Sequence, residues 1–306
     1  MTVLCMDAKG LNVVFLREDA DLYEQIIRQQ QLESATRPEL LRHLRTLYLE
    51  PAREQAFDRF LRSLEFSKIK DILSAFDVCG GDAICEIGGG PGFLSWALAC
   101  SGYRNVHLVE PNSNYNTGTG YLKTLNVDGL RIFSDLAEWY QAEVLYDVVI
   151  TRNCIHHFKN ITQGAAGIRQ KLRQNGLWFA FREAFADTSG ELYQRLKEHP
   201  YCQPFGLYEW YYPSWHYVEA IEMAGFALEA VVPAQYAANA LGCYVERMED
   251  PNVAAFTAHI DGMLRNRRPA LVASYWKEVF ANRYAGAGRR LFSRPQAMIF
   301  RVAPIV

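Results

Sequence analysis

The chain has 306 residues, half of them hydrophobic and 22% charged, with a formal net charge of -2. That composition excludes intrinsic disorder and suits one large folded domain or two smaller ones. No basic surplus exists to drive phosphate-backbone binding, so nucleic acid is not expected as a substrate. The short cluster of Arg265, Arg267 and Arg268 reads as a solvated helix end. The first residues lack the order of a leader peptide, and no stretch approaches the roughly 20 apolar residues that span a bilayer, so a cytoplasmic protein with no membrane partner is expected. The seven cysteines form no CxxC pair and do not stand at metal-ligand spacing beside histidines. Neither a metal nor a disulfide framework is expected.

Residues 19–76 read as helical throughout. Apolar residues recur at helical spacing in Leu22, Ile26 and Ile27, in Leu40, Leu41, Leu44 and Leu47, and in Phe57, Phe60, Leu61 and Leu64. Pro38 and Pro51 suit first-turn positions, which predicts three or more short helices. From Asp82 the pattern changes to β-branched runs alternating with helical stretches. The runs are Ala83–Ile87, Val106–Glu110, Leu130–Phe133, Asp147–Thr151 and Leu177–Arg182, the signature of βαβ units on a parallel sheet. An aromatic-rich segment follows, containing Tyr208, Trp210, Tyr211, Tyr212 and Trp215. Next come a helix over Ser214–Ala224 ended by Gly225, a strand Phe226–Val232, mostly helical residues, and a last strand Ala297–Val302. The expected division is a helical cap over 1–78, a core over 79–232, a helical cover over 233–295 and the final core strand over 296–306.

The strongest single signal is Glu86-Ile87-Gly88-Gly89-Gly90-Pro91-Gly92, set between a strand and a helix. Glycines at 88, 90 and 92 permit a tight turn and close approach to a ligand, and the following helix presents free N–H groups. A dinucleotide fingerprint fails on spacing, because its third glycine would fall at Phe93 or Ser95. A P-loop fails because no Gly-Lys-Ser/Thr follows.

Glu86 to Gly92 resembles motif I of class I S-adenosylmethionine-dependent methyltransferases. Five further stretches resemble that superfamily's landmarks in order: Val109-Glu110-Pro111, Ser134-Asp135-Leu136, Asp147 to Phe158 with Asn153-x-x-His156-His157-Phe158, Gly176-Leu177, and Ala224-Gly225-Phe226. The resemblance covers about residues 80–232 and the last strand. It implies a Rossmann-like α/β fold with a seven-stranded sheet whose last strand is antiparallel. It also implies S-adenosylmethionine as cofactor, held by Glu86, Gly88, Gly90, Gly92, Glu110 at the ribose, Asp135 and Leu136 at the adenine, and Asn153 at the amino acid end.

Candidates for the chemistry are Asn153, His156, His157, Arg182, Tyr211 and Tyr212. Histidine titrates near neutrality and suits a base, while the bland reading is a structural histidine. Arg182 beside Glu183 suits a carboxylate, or a structural ion pair. The tyrosines form an aromatic wall for a sulfonium, or ordinary packing. Tyr23 is a candidate lid residue. By fold-level analogy the helical cover points to methyl transfer to a small molecule. One alternative is attack at the methionine Cγ, by cyclisation to azetidine-2-carboxylate or by aminocarboxypropyl transfer, which releases methylthioadenosine. The other is a non-catalytic binding protein. The apolar share of the additional helices permits a homodimer.

Overall fold

In the computed structural model the described residues are Gln25, Arg28 and residues 52–198, 209–242, 249–285 and 290–304. Tyr23, Tyr208 and the expected helices before residue 52 otherwise lie outside them. Seven strands form one sheet: β1 (Ala83–Ile87), β2 (Asn105–Val109), β3 (Leu130–Phe133), β4 (Tyr146–Arg152), β5 (Leu172–Phe181), β6 (Phe226–Val232) and β7 (Ala297–Val302). Their order is β3-β2-β1-β4-β5-β7-β6. The first five are parallel, and β7 runs antiparallel to both β5 and β6. This is the predicted sheet with its reversed last strand. β5 begins at Leu172 rather than Leu177, because Leu172 pairs with Tyr146 before a register shift to the Val148–Leu177 pair.

Alternate residues of each strand enter opposite layers, as the pleat requires. Ile84, Val106, Leu108, Val148, Ile150 and Phe179 face one apolar layer. Cys85, Val109, Val149, Trp178, Met298 and Phe300 face the other. Both faces are covered, which explains why the strands read as continuous apolar runs. The first layer packs against α1 (Arg53–Leu61), α2 (Leu64–Ala75), α3 (Phe93–Cys100) and α8 (Pro251–Asn266). The second packs against α4 (Leu136–Gln141), α5 (Ile161–Lys171), α7 (Ser214–Met223) and part of α9 (Arg268–Ala285), while α6 (Ser189–Glu198) follows β5.

Local chemistry sets the helix ends. The apolar run Phe57–Leu64 is broken in two, because Ser63 is an N-cap whose hydroxyl accepts the Phe66 N–H at 3.1 Å. Asn160 caps α5 in the same way through Gln163, at 3.0 Å. Gly225 follows α7 with φ 91°, the left-handed conformation that ends a helix. Arg268, from the basic cluster, is not a free surface charge. It donates to the Leu264 carbonyl at 2.8 Å, to Glu229 at 2.9 Å and to the Ala75 carbonyl at 2.5 Å, with its guanidinium 3.9 Å over the Phe76 ring. Among the described residues no helix is long and apolar enough to cross a membrane.

Candidate active site

The topology brings the residues singled out from sequence to one edge of the sheet. Gly88, Glu110, Asp135, Asn153 and Arg182 all follow directly, or within two residues, the carboxyl ends of β1 to β5. The strand order reverses between β1 and β4, which opens a crevice of the kind that binds ligands in α/β sheets.

The glycine loop crosses that seam. Gly88, Gly90 and Gly92 have φ of 69°, 56° and 82°. A Cβ on Gly88 would overlap the Cys154 sulfur, whereas one on Gly90 would meet only the Thr117 carbonyl oxygen, 3.8 Å away. Gly88 is therefore a packing glycine, and Gly90 exposes backbone to open space. Glu86 points beneath the loop: one carboxylate oxygen accepts the Ser95 N–H at 3.0 Å and the Ser95 hydroxyl at 2.5 Å. The other oxygen, Oε1, is buried with no hydrogen-bond partner. Burial raises the Glu86 pKa above the usual carboxylate range.

Glu110 reaches back from β2 to the loop. Its Oε2 accepts the Gly90 N–H at 2.7 Å and its Oε1 accepts the Asn112 N–H at 2.8 Å. Burial pushes its pKa up to about 7, against the lowering effect of those two bonds. Asp135 is the exposed N-cap of α4, with Oδ1 accepting the Glu138 N–H at 2.6 Å. Leu136 is half-buried and packs with the second apolar layer.

Beyond β4 the chain turns through Asn153, exposed and at φ 53°, whose N–H donates to the Phe181 carbonyl at 2.8 Å. A short 3-10 turn, Ile155–His157, follows. It is anchored by Glu183, whose Oε1 accepts the Cys154 and Ile155 N–H groups at 2.6 and 2.9 Å, and whose Oε2 accepts the His156 N–H at 3.1 Å. His156, 1% exposed, lies between two carboxylates. Its Nδ1 is 3.1 Å from Glu183 Oε2 and its Nε2 is 3.0 Å from Glu209 Oε2. Burial by itself would lower the His156 pKa, but the carboxylates of Glu183 and Glu209 outweigh it and raise it to about 9. His157 Nε2 is 3.7 Å from Glu209 Oε1, and Tyr211 donates its hydroxyl to Glu209 Oε2 at 3.0 Å.

The structure thus gathers His156, His157 and Tyr211 around one carboxylate, and separates two other candidates from them. Arg182 does not pair with Glu183. It donates to Glu65 of α2 at 3.2 Å, and Arg152 reaches the same Glu65 oxygen at 3.2 Å. Tyr212 stacks on His216 at 4.4 Å and lines a different cleft, with Lys159, Thr162 and Glu219. Sequence reasoning did not single out Glu65, Arg152 or Glu209. Glu209 carried a signal, as an acid inside an aromatic run. Glu65 carried none, because it reads as an ordinary charge on an amphipathic helix.

A family model described as a methyltransferase domain matches residues 36–231. Among curated proteins, the chain is 28% identical over 129 residues to the ubiquinone biosynthesis O-methyltransferase of Rickettsia conorii, covering 41% of this chain and 42% of that protein. It is 30% identical over 111 residues to the protein of the same name from Rickettsia prowazekii, covering 36% of this chain and 43% of that protein. The chain therefore spans less than half the length of these curated relatives. Among solved structures it is similar to an O-methyltransferase from a trans-AT PKS multienzyme of Brevibacillus brevis, in complex with S-adenosyl-L-homocysteine. That match has 12% identity and TM-score 0.41, covering 77% of this chain and 72% of that one. The YcgJ protein of Bacillus subtilis matches at 11% identity and TM-score 0.43, covering 78% and 99%. Similarity at that level adds nothing to the fold, which stands on strand order and direction. The match over residues 36–231, taken with the seven-stranded sheet, makes this chain a member of the methyltransferase-domain family, within the class I S-adenosylmethionine-dependent transferases.

Proposed function

We propose that this chain transfers a methyl group from S-adenosylmethionine to a small molecule. The small-molecule reading is carried by the way α1 and α2 are tied to the functional edge of the sheet. Phe57 of α1 meets Phe93, the first residue after the glycine loop, edge-on at 4.7 Å, and Arg53 lies 5.5 Å over the Phe93 ring. The fully buried Glu65 of α2 holds Arg152 and Arg182 at the ends of β4 and β5. A cover fastened at these points is expected to narrow access and exclude water, which would suit a compact acceptor better than a polymer.

The residues present fit the cofactor. Gly90 leaves a cradle that a side chain would fill, and each Glu110 oxygen, already holding one N–H, retains a lone pair for a ribose hydroxyl. Glu110 and Asp135 would hold the ribose and adenine, and Asn153 the amino acid end. Bound there, the cofactor supplies an electrophilic methyl group on a sulfonium. The protein's task is then positioning more than acid–base work. His156 is not the base in this reading, because both ring nitrogens face carboxylates and its raised pKa keeps it protonated at neutral pH. It is a positioning residue that joins the turn after β4 to Glu209.

The test is incubation with S-adenosylmethionine and a panel of small hydroxy, amino and carboxylic acceptors, followed by mass spectrometry. S-adenosylhomocysteine formed only with an acceptor supports the reading. Methylthioadenosine released from the cofactor alone, with a new small amino acid, overturns it in favour of attack at Cγ.

A further inference from the structure

We propose that His156, His157 and Glu209 bind one divalent transition-metal ion of the zinc class. Sequence spacing led to no expectation of a metal, because Glu209 lies far along the chain and only folding brings it to the histidine pair. Ligand atoms of the three residues all lie within 4.8 Å of one another. The inference concerns metal binding itself and holds whatever the acceptor is.

The distances suit an ion. Zinc bonds imidazole nitrogen and carboxylate oxygen at about 2.0–2.2 Å, which places neighbouring donors of a tetrahedron about 3.3 Å apart. His156 Nε2 stands 3.0 Å from Glu209 Oε2 and His157 Nε2 stands 3.7 Å from Glu209 Oε1, on either side of that value, each imidazole facing one oxygen of the same carboxylate. Two imidazoles and one carboxylate are also the donor set of transition metals, whereas calcium and magnesium want oxygen alone.

The surroundings are those of a built site. Metal-binding histidines characteristically give their second ring nitrogen to a carboxylate, which fixes the ring and leaves the first nitrogen for the ion. Glu183, its side chain fully buried, stands in that relation to His156 Nδ1 at 3.1 Å. Three backbone N–H groups of the turn after β4 hold Glu183 in place, so the carboxylate that orients the imidazole is itself fixed. Tyr211 does the same for Glu209 through its hydroxyl. The His157 side chain is 18% exposed and that of Glu209 10%, so solvent reaches the cluster from that side. The same geometry also accommodates a proton on His156 Nε2, so proton and ion compete for that atom. A purely hydrogen-bonded cluster is the rival that the experiment must exclude.

Untagged full-length protein, dialysed against chelator and then buffer, is titrated with Zn2+ by calorimetry and with Co2+ by visible absorption. One ion per chain is expected, with the absorption bands of four-coordinate Co2+. Glu209→Gln and His157→Gln, checked for native circular dichroism, should each weaken Zn2+ binding by roughly 10–100-fold or more. His259→Gln, at an exposed histidine on α8, should leave it unchanged. Absence of a stoichiometric ion in the wild type overturns the proposal. So does unchanged affinity in both site variants, or loss of binding in His259→Gln.

Discussion

Gly88, at the end of β1, faces the sulfur of Cys154, past the end of β4, so closely that no side-chain carbon fits between them. This contact spans the seam where strand order reverses and couples the glycine loop to the turn that carries both histidines. Gly88→Ala adds an overlap to a backbone at φ 69° and is expected to cost about 2–4 kcal/mol, measured by urea denaturation. In a Cys154→Ala background the same change should cost less, because the sulfur overlap is gone and only the backbone strain and a 3.3 Å contact with the remaining Cβ persist. Equal costs in both backgrounds would refute the contact.

If Glu110 holds the ribose as proposed, cofactor affinity should depend on pH. Its pKa is about 7 in the fold against an ordinary 4.5, so the folded protein binds more protons than the unfolded chain between those values. Stability contributed by this group therefore falls as pH rises from 4.5 to 7. A ribose diol donating to the carboxylate favours the ionised form. S-adenosylmethionine binding should therefore tighten as pH rises towards 7, by at most about tenfold per unit, and release a proton. Glu110→Gln should flatten this dependence and weaken binding by about 1–3 kcal/mol, read by calorimetry in buffers of different ionisation enthalpy.

Asp135 caps α4, and different substitutions separate that cap from its proposed contact with the adenine. Asp135→Ala removes the cap of α4 and should cost about 0.5–2 kcal/mol of stability as well as cofactor affinity. Asp135→Asn keeps a capping oxygen but turns the other oxygen into a donor. It should melt close to wild type and still bind S-adenosylmethionine more weakly, since an amide N–H opposes the adenine amino group. Wild-type affinity in both variants would move the adenine elsewhere.

His156 carries the opposite pH signature to a buried carboxylate ion pair. Its folded pKa of about 9 exceeds the unfolded 6.5, so its stabilising effect is complete below 6.5 and is lost as pH rises through 9. Thermal unfolding in chelator should fall in midpoint between pH 7 and 9.5. His156→Gln should start lower at pH 7 and lose most of that slope.

Glu65 ties the helical cover to the sheet through two arginines, and it is fully buried. Glu65→Ala withdraws a buried carboxylate from both cations and should cost about 3 kcal/mol. If the cover encloses the acceptor, Glu65→Gln should raise KM for the acceptor more than it changes cofactor affinity, which steady-state kinetics and calorimetry read separately.

Much of the fold is local chemistry and was legible in order along the chain. Strand periodicity, the glycine loop and Gly225 depend on short-range backbone preferences, so β1, β3, β6 and β7 fall where their residues predict. The glycine loop, Glu110, Asp135 and Asn153 follow strand ends, and parallel strands necessarily bring their carboxyl ends to one edge. Partner choice among buried charges was not legible, because it depends on which side chains meet after folding. Arg182 and Glu183 are adjacent in sequence but part company, since the backbone reverses at Arg182, φ 60°, and sends one side chain to Glu65 and the other to His156. Glu209 joins His156 only because the segment after β5 returns to the turn after β4. Sequence determined the sheet and its ligand-facing edge; tertiary structure decided which carboxylate each histidine and arginine would find, because a buried charge must be paired by whatever the fold places within reach.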